Sequence, residues 1–218
     1  MAILKLYGWP ESTATWRVAI VLHEAKVPFE FVNVNILNAD YKTPEYLEKQ
    51  PFGQIPYIDD DGFILFESRA IGRYIAAEHP ESKLIPTDPK KHALFEQAAS
   101  IEFANFDFNA DPLIKALARK RFLGQDSDQA PLDAKMETLE GRLDVYEKIL
   151  AKQRYIAGDE ITLADLFHLP RAQFIETYIK SGVMTSSSRP HVARWYDELL
   201  SRPSWKAFEG GVKGILEY

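Results

Sequence analysis

The sequence predicts an α/β unit followed by an all-α unit. Three observations carry this. Up to residue 79, short apolar runs alternate with helical patterns in the order β-α-β, then β-β-α. Prolines at 80, 86 and 89 then punctuate the chain. Beyond them, apolar residues recur mainly at spacings of three and four, the period of a helix.

Ala2 to Tyr7 reads as a first strand, with Ile3, Leu4 and Leu6 around Lys5, and Gly8-Trp9-Pro10 ends it. Ser12 or Thr13 offers an N-cap. The helix that follows carries Val18, Ala19, Val21 and Leu22. Phe29 to Val34 reads as a second strand, so strand-helix-strand predicts a parallel pair with a right-handed crossover. Ile55–Ile58 and Phe63–Phe66 flank Asp59-Asp60-Asp61-Gly62, a strong hairpin signal. Ser68 to His79 closes the unit as a helix. This order resembles thioredoxin. The expected boundaries are 1–80 for the thioredoxin-like domain, 81–90 for a linker and 91–218 for a helical bundle domain.

Within the second half, 90–123 reads as mostly helical with a kink at Asp111-Pro112. Gly124 to Pro131 is a polar loop. Leu132, Met136, Leu139, Leu143, Tyr146 and Leu150 mark an amphipathic helix. Ile161 to Tyr178 is apolar nearly all round and is expected to be a buried central helix. Arg189–Leu200 and Pro203–Gly210 give shorter helices. Gly210 to Gly214 reads as a flexible tail.

Composition narrows the chemistry. The chain has 218 residues and a net charge of −6, a balance that disfavours general nucleic-acid or anionic-membrane binding. It has no cysteine, which excludes disulfides, thiolate nucleophiles of its own and cysteine metal sites. Any sulfur chemistry must use a ligand's sulfur. The five histidines are not spaced as i, i+4 pairs, so no metal is expected. His168, on an apolar helix, reads as a core histidine. No membrane-length apolar run occurs, and Lys5 and Glu11 interrupt any leader-like segment, so a cytoplasmic protein is the expectation.

Two segments concentrate the functional signal. Pro51-Phe52-Gly53-Gln54-Ile55-Pro56 is a turn entering an apolar strand, and Glu67-Ser68-Arg69-Ala70-Ile71 sets an acid and a hydroxyl at a helix start. Free N–H groups at such a start attract a carboxylate, and Glu67 can hold an ammonium. An α-amino acid end of a ligand suits both.

Together with Gly158-Asp159-Glu160-Ile161-Thr162-Leu163-Ala164-Asp165 and the run Pro10 to Val18, these motifs resemble a cytosolic glutathione transferase. The likeness covers essentially the whole chain and is nearest the serine-type Phi class and its fungal relatives. It implies conjugation of reduced glutathione to hydrophobic electrophiles, with glutathione-dependent peroxidase activity as a further expectation. Glutathione is the co-substrate, and no tightly bound cofactor is expected.

The resemblance assigns Ser12 as the thiolate-stabilising donor. Tyr7 is the alternative catalytic residue, with core packing as its other reading, and Thr13 is a weak substitute. Lys42, Gln54, Ile55, Pro56, Glu67 and Ser68 match glutathione-binding positions, with Pro56 in the cis form. Tyr41 stands where Phi proteins often carry histidine. Trp9, Phe122 and Tyr178 are candidates for the electrophile pocket, expected between the domains. Thr162 to Asp165 reads as a capping box with a structural role. The family is usually dimeric, and Phe52 matches an aromatic key to a partner subunit. The rival reading is a ligandin-type carrier with little turnover.

Overall fold

The computed structural model describes residues 3–208 and 210–218. It divides into two compact units: Met1–Ile85 with Arg202–Tyr218, and Pro86–Ser201.

The first unit is built on a four-stranded sheet in the order β2-β1-β3-β4, with β1 Leu4–Gly8, β2 Phe29–Asn33, β3 Tyr57–Asp60 and β4 Phe63–Phe66. β1 and β2 pair in parallel, whereas β3 is antiparallel to both β1 and β4. The β3–β4 turn has positive φ at Asp61 and Gly62 (51° and 90°), and Asp59 Oδ1 accepts from the Gly62 N–H at 2.8 Å. Successive positive φ values match the right-handed twist of a hairpin.

Helix α1 (Thr13–Glu24) is more deeply packed than one apolar stripe requires: Val18 through Leu22 are all fully buried. It lies against α3 (Ser68–Glu78) and against α9 (Pro203–Lys206). Sequence periodicity did not mark α2 (Pro44–Lys49), whose six residues are too few to establish a period. Its local signals are Thr43 and Pro44: the Thr43 hydroxyl accepts from the Tyr46 N–H at 3.4 Å, and the proline occupies the first helical turn.

The expected assignment of 91–218 to one helical domain is corrected at its end. Residues 202–218 belong to the first unit. Arg202 Nη2 bonds Glu24 of α1 at 2.8 Å, and Ser204 bonds the same carboxylate. Phe29 and Ile215 exchange backbone hydrogen bonds at 2.7 and 2.9 Å, and the Val212 N–H donates to Pro10 O at 3.2 Å. The segment from Gly210 is therefore a strap rather than a flexible tail. Gly214 has no room for a side chain, since a Cβ there would stand 2.8 Å from Phe29 O. Helix α9 is four residues long and ends before the expected Gly210.

The second unit contains α4 (Pro89–Ile101), α5 (Phe108–Leu123), α6 (Gln129–Leu150), α7 (Leu163–Phe174) and α8 (Pro190–Leu200). The irregularity expected at Asp111-Pro112 falls earlier: Glu102–Asp107 is a π-helical stretch, and α5 continues through Pro112. Pro112 lies inside the helix, as the fifth residue of α5. The polar loop is shorter than expected because α6 begins at Gln129 under an Asp128 cap.

Helix α7 is the buried centre of this unit, and it continues as a π turn, Ile175–Ile179. His168 is fully buried, with Nδ1 2.6 Å from Ala164 O and Nε2 3.0 Å from the Tyr146 hydroxyl, as expected of a satisfied core histidine. No helix among the described residues is long and apolar enough to cross a membrane.

Candidate active site

Strand directions gather the singled-out segments at one end of the sheet. Tyr57, the first residue of β3, pairs with Tyr7 near the end of β1 and with Phe66 at the end of β4. Gly8 pairs with Asn33 at the end of β2. Four connections therefore share this edge: the turn into α1, the segment from Val34 to Lys42, the loop entering β3, and the start of α3.

The turn into α1 is held from both sides. The Ser12 N–H donates to Trp9 O at 3.0 Å, while Pro10 O accepts from the Trp16 indole at 2.6 Å and from Val212. Ser12 is the N-cap, with its Oγ accepting from the Thr15 N–H at 3.4 Å. That distance is beyond the usual range for a strong bond. The cap uses a lone pair of Ser12, so its hydroxyl hydrogen is not consumed by capping. Capping and donation to a ligand are compatible in one side chain. Thr13 is buried as the first residue of the helix. Tyr7 is committed to packing: its ring stacks on Tyr57 at 4.3 Å with planes 10° apart.

Ile55–Pro56 is cis, as the resemblance implied. The loop before it is anchored twice. Tyr46 donates its hydroxyl to Gln54 O at 2.6 Å, and Lys42 Nζ donates to Gly53 O at 2.9 Å and less closely to Phe52 O at 3.4 Å. The first anchor is buried, and burial with the neighbouring Tyr57 raises the Tyr46 pKa, keeping its proton available for that bond. Gly53 has φ +55°, and a Cβ there would lie 2.7 Å from Lys42 Nζ, so the lysine's approach requires glycine. An ammonium has three donors, and Lys42 remains exposed. Gln54 is exposed beside it.

At α3, Glu67 precedes the helix with φ +70° and ψ 104°, and no side chain caps the first turn. A non-glycine residue there is strained by roughly 1–3 kcal/mol. Glu67 is exposed and Ser68 buried. The Ser68 Oγ accepts from Arg17 Nη1 at 2.9 Å. Arg17 is only 1% exposed, and its sequence motif gave it no separate role. It brings a full positive charge to a helix start that already attracts anions. Only the fold places α1 against α3, so sequence spacing alone carried no signal for this pairing.

The electrophile-pocket candidates divide between the units. Trp9 belongs to the first, whereas Phe122 and Tyr178 belong to the second. The Arg121 guanidinium lies over both latter rings, 5.3 Å and 4.6 Å from their centroids. Tyr178 also packs on Phe174 at 4.6 Å. Phe52, at 66% exposed, makes an edge contact with Phe66. Among the described residues, no group of three potential metal ligands comes together.

The match to known proteins extends across both units. Family models for the glutathione S-transferase N-terminal and C-terminal domains match residues 2–77 and 109–203. The chain is 41% identical to glutathione S-transferase hmp2 of Hypomyces subiculosus over 93% of this chain and 96% of that protein. Its structure superposes on glutathione transferase F2 of Populus trichocarpa with a TM-score of 0.89 at 37% identity, covering 94% and 96% of the two chains. It superposes on maize glutathione S-transferase I in complex with an atrazine glutathione conjugate with a TM-score of 0.87 at 33% identity, covering 95% and 96%. The chain belongs to the glutathione S-transferase family. Within it, the similarity is to plant Phi-class enzymes and their fungal relatives.

Proposed function

We propose that this glutathione transferase binds reduced glutathione along the sheet edge described above and activates its sulfur through Ser12. The γ-glutamyl end lies at the start of α3, with its ammonium on Glu67 and its carboxylate on Ser68 and the open N–H groups. Arg17 positions Ser68 and contributes charge from beneath. The cysteinyl backbone pairs with Ile55 next to Pro56, as an added strand partner. Gln54 borders the γ-glutamyl end, and Lys42 meets the glycyl carboxylate.

The thiol of free glutathione has a pKa near about 8.5, leaving only a few per cent as thiolate at neutral pH. Lowering it by about 2 units requires about 2.7 kcal/mol of preference for the anion. The hydroxyl of Ser12 and the positive end of α1 both favour thiolate over thiol. The thiolate then attacks an electrophilic carbon: the S–C bond forms and the leaving group departs with its electron pair. The thiol proton has already passed to solvent. With a peroxide as acceptor, the same sulfur attacks one oxygen: the S–O bond forms as the O–O bond breaks. The sulfur is oxidised to a sulfenic acid, and the leaving alkoxide takes a proton from solvent. A second glutathione then reduces the sulfenic acid, giving the disulfide and water. Ser12 donates throughout and is not a nucleophile. Trp9, Phe122 and Tyr178 supply apolar surface to the acceptor.

The observation that carries this reading is the Ser12 geometry: the side chain accepts from Thr15 and retains its own hydrogen at the α1 start. The test is conjugation of glutathione to an activated aryl halide, with thiolate absorbance followed against pH. A bound thiol titrating well below the free one, together with turnover, supports the role. Binding without turnover favours the ligandin-type carrier.

A homodimer keyed by Phe52 belongs to the same reading, supported by the exposure of that ring. Sedimentation of the wild type and Phe52→Ser tests it, with a shift towards monomer expected. The resemblance also supports a cytoplasmic location, detoxification as the role, and partners limited to glutathione, an apolar electrophile and a second copy of the chain. Cell fractionation tests the location.

A further inference from the structure

The Ser12 side chain is held only loosely by its own cap, since its Oγ accepts from the Thr15 N–H across 3.4 Å. The hydroxyl therefore takes its place from the backbone of the turn, which three shorter bonds fix. The Ser12 N–H donates to Trp9 O at 3.0 Å, and the Trp16 N–H donates to Ser12 O at 2.8 Å. The Trp16 indole Nε1–H donates to Pro10 O at 2.6 Å. Two of the three come from one residue. Trp16 grips the turn at residue 12 with its main chain and at residue 10 with its side chain.

The first grip is helix pairing that any residue but proline makes. The second requires a rigid side-chain donor that reaches back six residues along the chain. Pro10 O also accepts from the Val212 N–H at 3.2 Å, so both of its lone pairs are used. Gly211 packs so closely that a Cβ there would stand 3.2 Å from Pro10 Cβ. The indole is steadied from the same C-terminal segment: Trp205 of α9 meets it edge-to-face, with ring centroids 5.8 Å apart. All of these residues belong to the first unit. The motif from Pro10 to Val18 gave Trp16 no role.

We propose that Trp16 is a positioning residue: its indole N–H, acting through Pro10 O, sets where the Ser12 hydroxyl points and so how well it donates to the glutathione sulfur. This rests on the assignment of Ser12 as the thiolate donor. A displaced donor weakens steeply with distance and angle. The residues assigned to the two ends of glutathione lie elsewhere, so the effect falls on the acidity of the bound thiol and not on affinity.

Trp16→Phe keeps an aromatic ring against Trp205 and removes the donor. A fall in kcat of about tenfold at neutral pH is expected, with KM for glutathione unchanged. The pKa of the bound thiol should rise by about one unit, the same tenfold read as acidity. Thiolate absorbance against pH measures it, and the rates of variant and wild type should converge at alkaline pH. A Trp16 that only braces the fold lowers the urea midpoint and leaves the pH profile in place, which overturns the proposal. In the Ser12→Ala background, Trp16→Phe should add no further shift. An undiminished shift there means that the indole does not act through Ser12, and it also overturns the proposal. Ser12→Ala alone separates this inference from the assignment beneath it. If Ser12→Ala leaves the profile unmoved, the Ser12 reading fails and the role of Trp16 with it. If Ser12→Ala moves the profile and Trp16→Phe does not, only the role of Trp16 falls. Should Trp16→Phe fail to fold, Trp205→Leu decides, because it spares the indole bond and removes the ring that steadies it: a smaller shift of the same sense supports the role, and an unmoved profile rejects it.

Discussion

At the start of α3, Glu67 has left-handed φ, no side chain caps the turn, and Ser68 accepts from Arg17. At the start of α7, a single buried carboxylate gathers four donors. Asp165 accepts from the Thr162 N–H at 2.9 Å, the Thr162 hydroxyl at 3.1 Å, the Ile156 N–H at 3.0 Å and the Trp195 indole at 3.0 Å. The first arrangement leaves N–H groups for an external anion, whereas the second uses an internal one to join three segments. The same terminal chemistry thus makes a binding surface in one place and a structural joint in another. What separates them is whether the anion is part of the chain.

The comparison breaks most decisively at Ser12, a third helix start that shares both roles. Ser12→Ala is expected to lower kcat/KM by about 10- to 1,000-fold, the effect of losing one charge-stabilising donor. The glutathione dissociation constant should change little, because the thiol end contributes least to ground-state binding. Steady-state kinetics with parallel equilibrium titration check this. If Tyr7→Phe abolished turnover while Ser12→Ala spared it, the serine assignment would be wrong.

The joint at α7 comes next. Asp165→Ala leaves buried donors on Ile156, Thr162 and Trp195 without an acceptor, each costing about 1–3 kcal/mol before relaxation. A net loss of about 3 kcal/mol is expected, read as a lower urea midpoint, with kcat of the folded fraction unchanged. An unchanged midpoint with a large fall in kcat would make Asp165 a functional residue and collapse the contrast.

At the open start of α3, Glu67→Ala and Ser68→Ala should each weaken glutathione binding by about 1.5–3 kcal/mol, roughly 10- to 150-fold. Isothermal titration measures it. Unchanged affinity in folded variants would remove these residues from the site. Glu67→Gly sharpens the point, because it relieves the positive φ while deleting the carboxylate: greater stability with weaker binding is the expected pair.

The smallest effect lies at α8, whose start is capped from another helix. Glu147 of α6 accepts from the His191 and Val192 N–H groups, both at 3.0 Å, and from the His191 ring at 2.6 Å. Burial alone would raise the Glu147 pKa, but these hydrogen bonds outweigh it and hold the carboxyl below its ordinary value. A depressed carboxyl contributes stability above its unfolded pKa and loses it as pH falls through the folded one. Glu147→Gln is therefore expected to cost about 0.5–2 kcal/mol at pH 7. The gap to wild type should persist through the ordinary carboxylate range and close only as pH falls through the depressed pKa of the folded carboxyl, where both forms become neutral. Urea denaturation across pH checks it, and a gap that persisted at low pH would reject the electrostatic account.

Much of this was legible in the sequence for local reasons. Ser12 caps α1 because a hydroxyl follows a strand and a Gly-Trp-Pro break. The Asp59–Gly62 turn closes its hairpin because aspartate and glycine tolerate positive φ. The Thr162–Asp165 box forms within four residues. What the sequence did not disclose depends on distant partners or on hydrogen-bond register. Arg17 meets Ser68 across 51 residues. Asp165 reaches Trp195 across 30, a contact absent from its capping motif. The π stretches differ from α-helix by one residue of register, which side-chain periodicity over a single turn does not resolve. Gly210–Gly214 read as a tail because glycine marks both slack chain and close approach, and only the strand it meets distinguishes the two.

The strap that carries Val212 to Pro10 and Ile215 to Phe29 also sets a schedule. Synthesis proceeds from the N-terminus, and domains ordinarily fold as they emerge. Here the first unit cannot finish on emergence, because its last pieces, residues 202–218, follow the whole helical unit. The local bonds of the Ser12 turn can form early, but the Val212 contact on Pro10 and the Ile215 pairing with Phe29 wait for residues that follow the helical unit. The first unit to be started is thus the last to be completed, and the outer support of the loop proposed to hold the reactive sulfur arrives at the end.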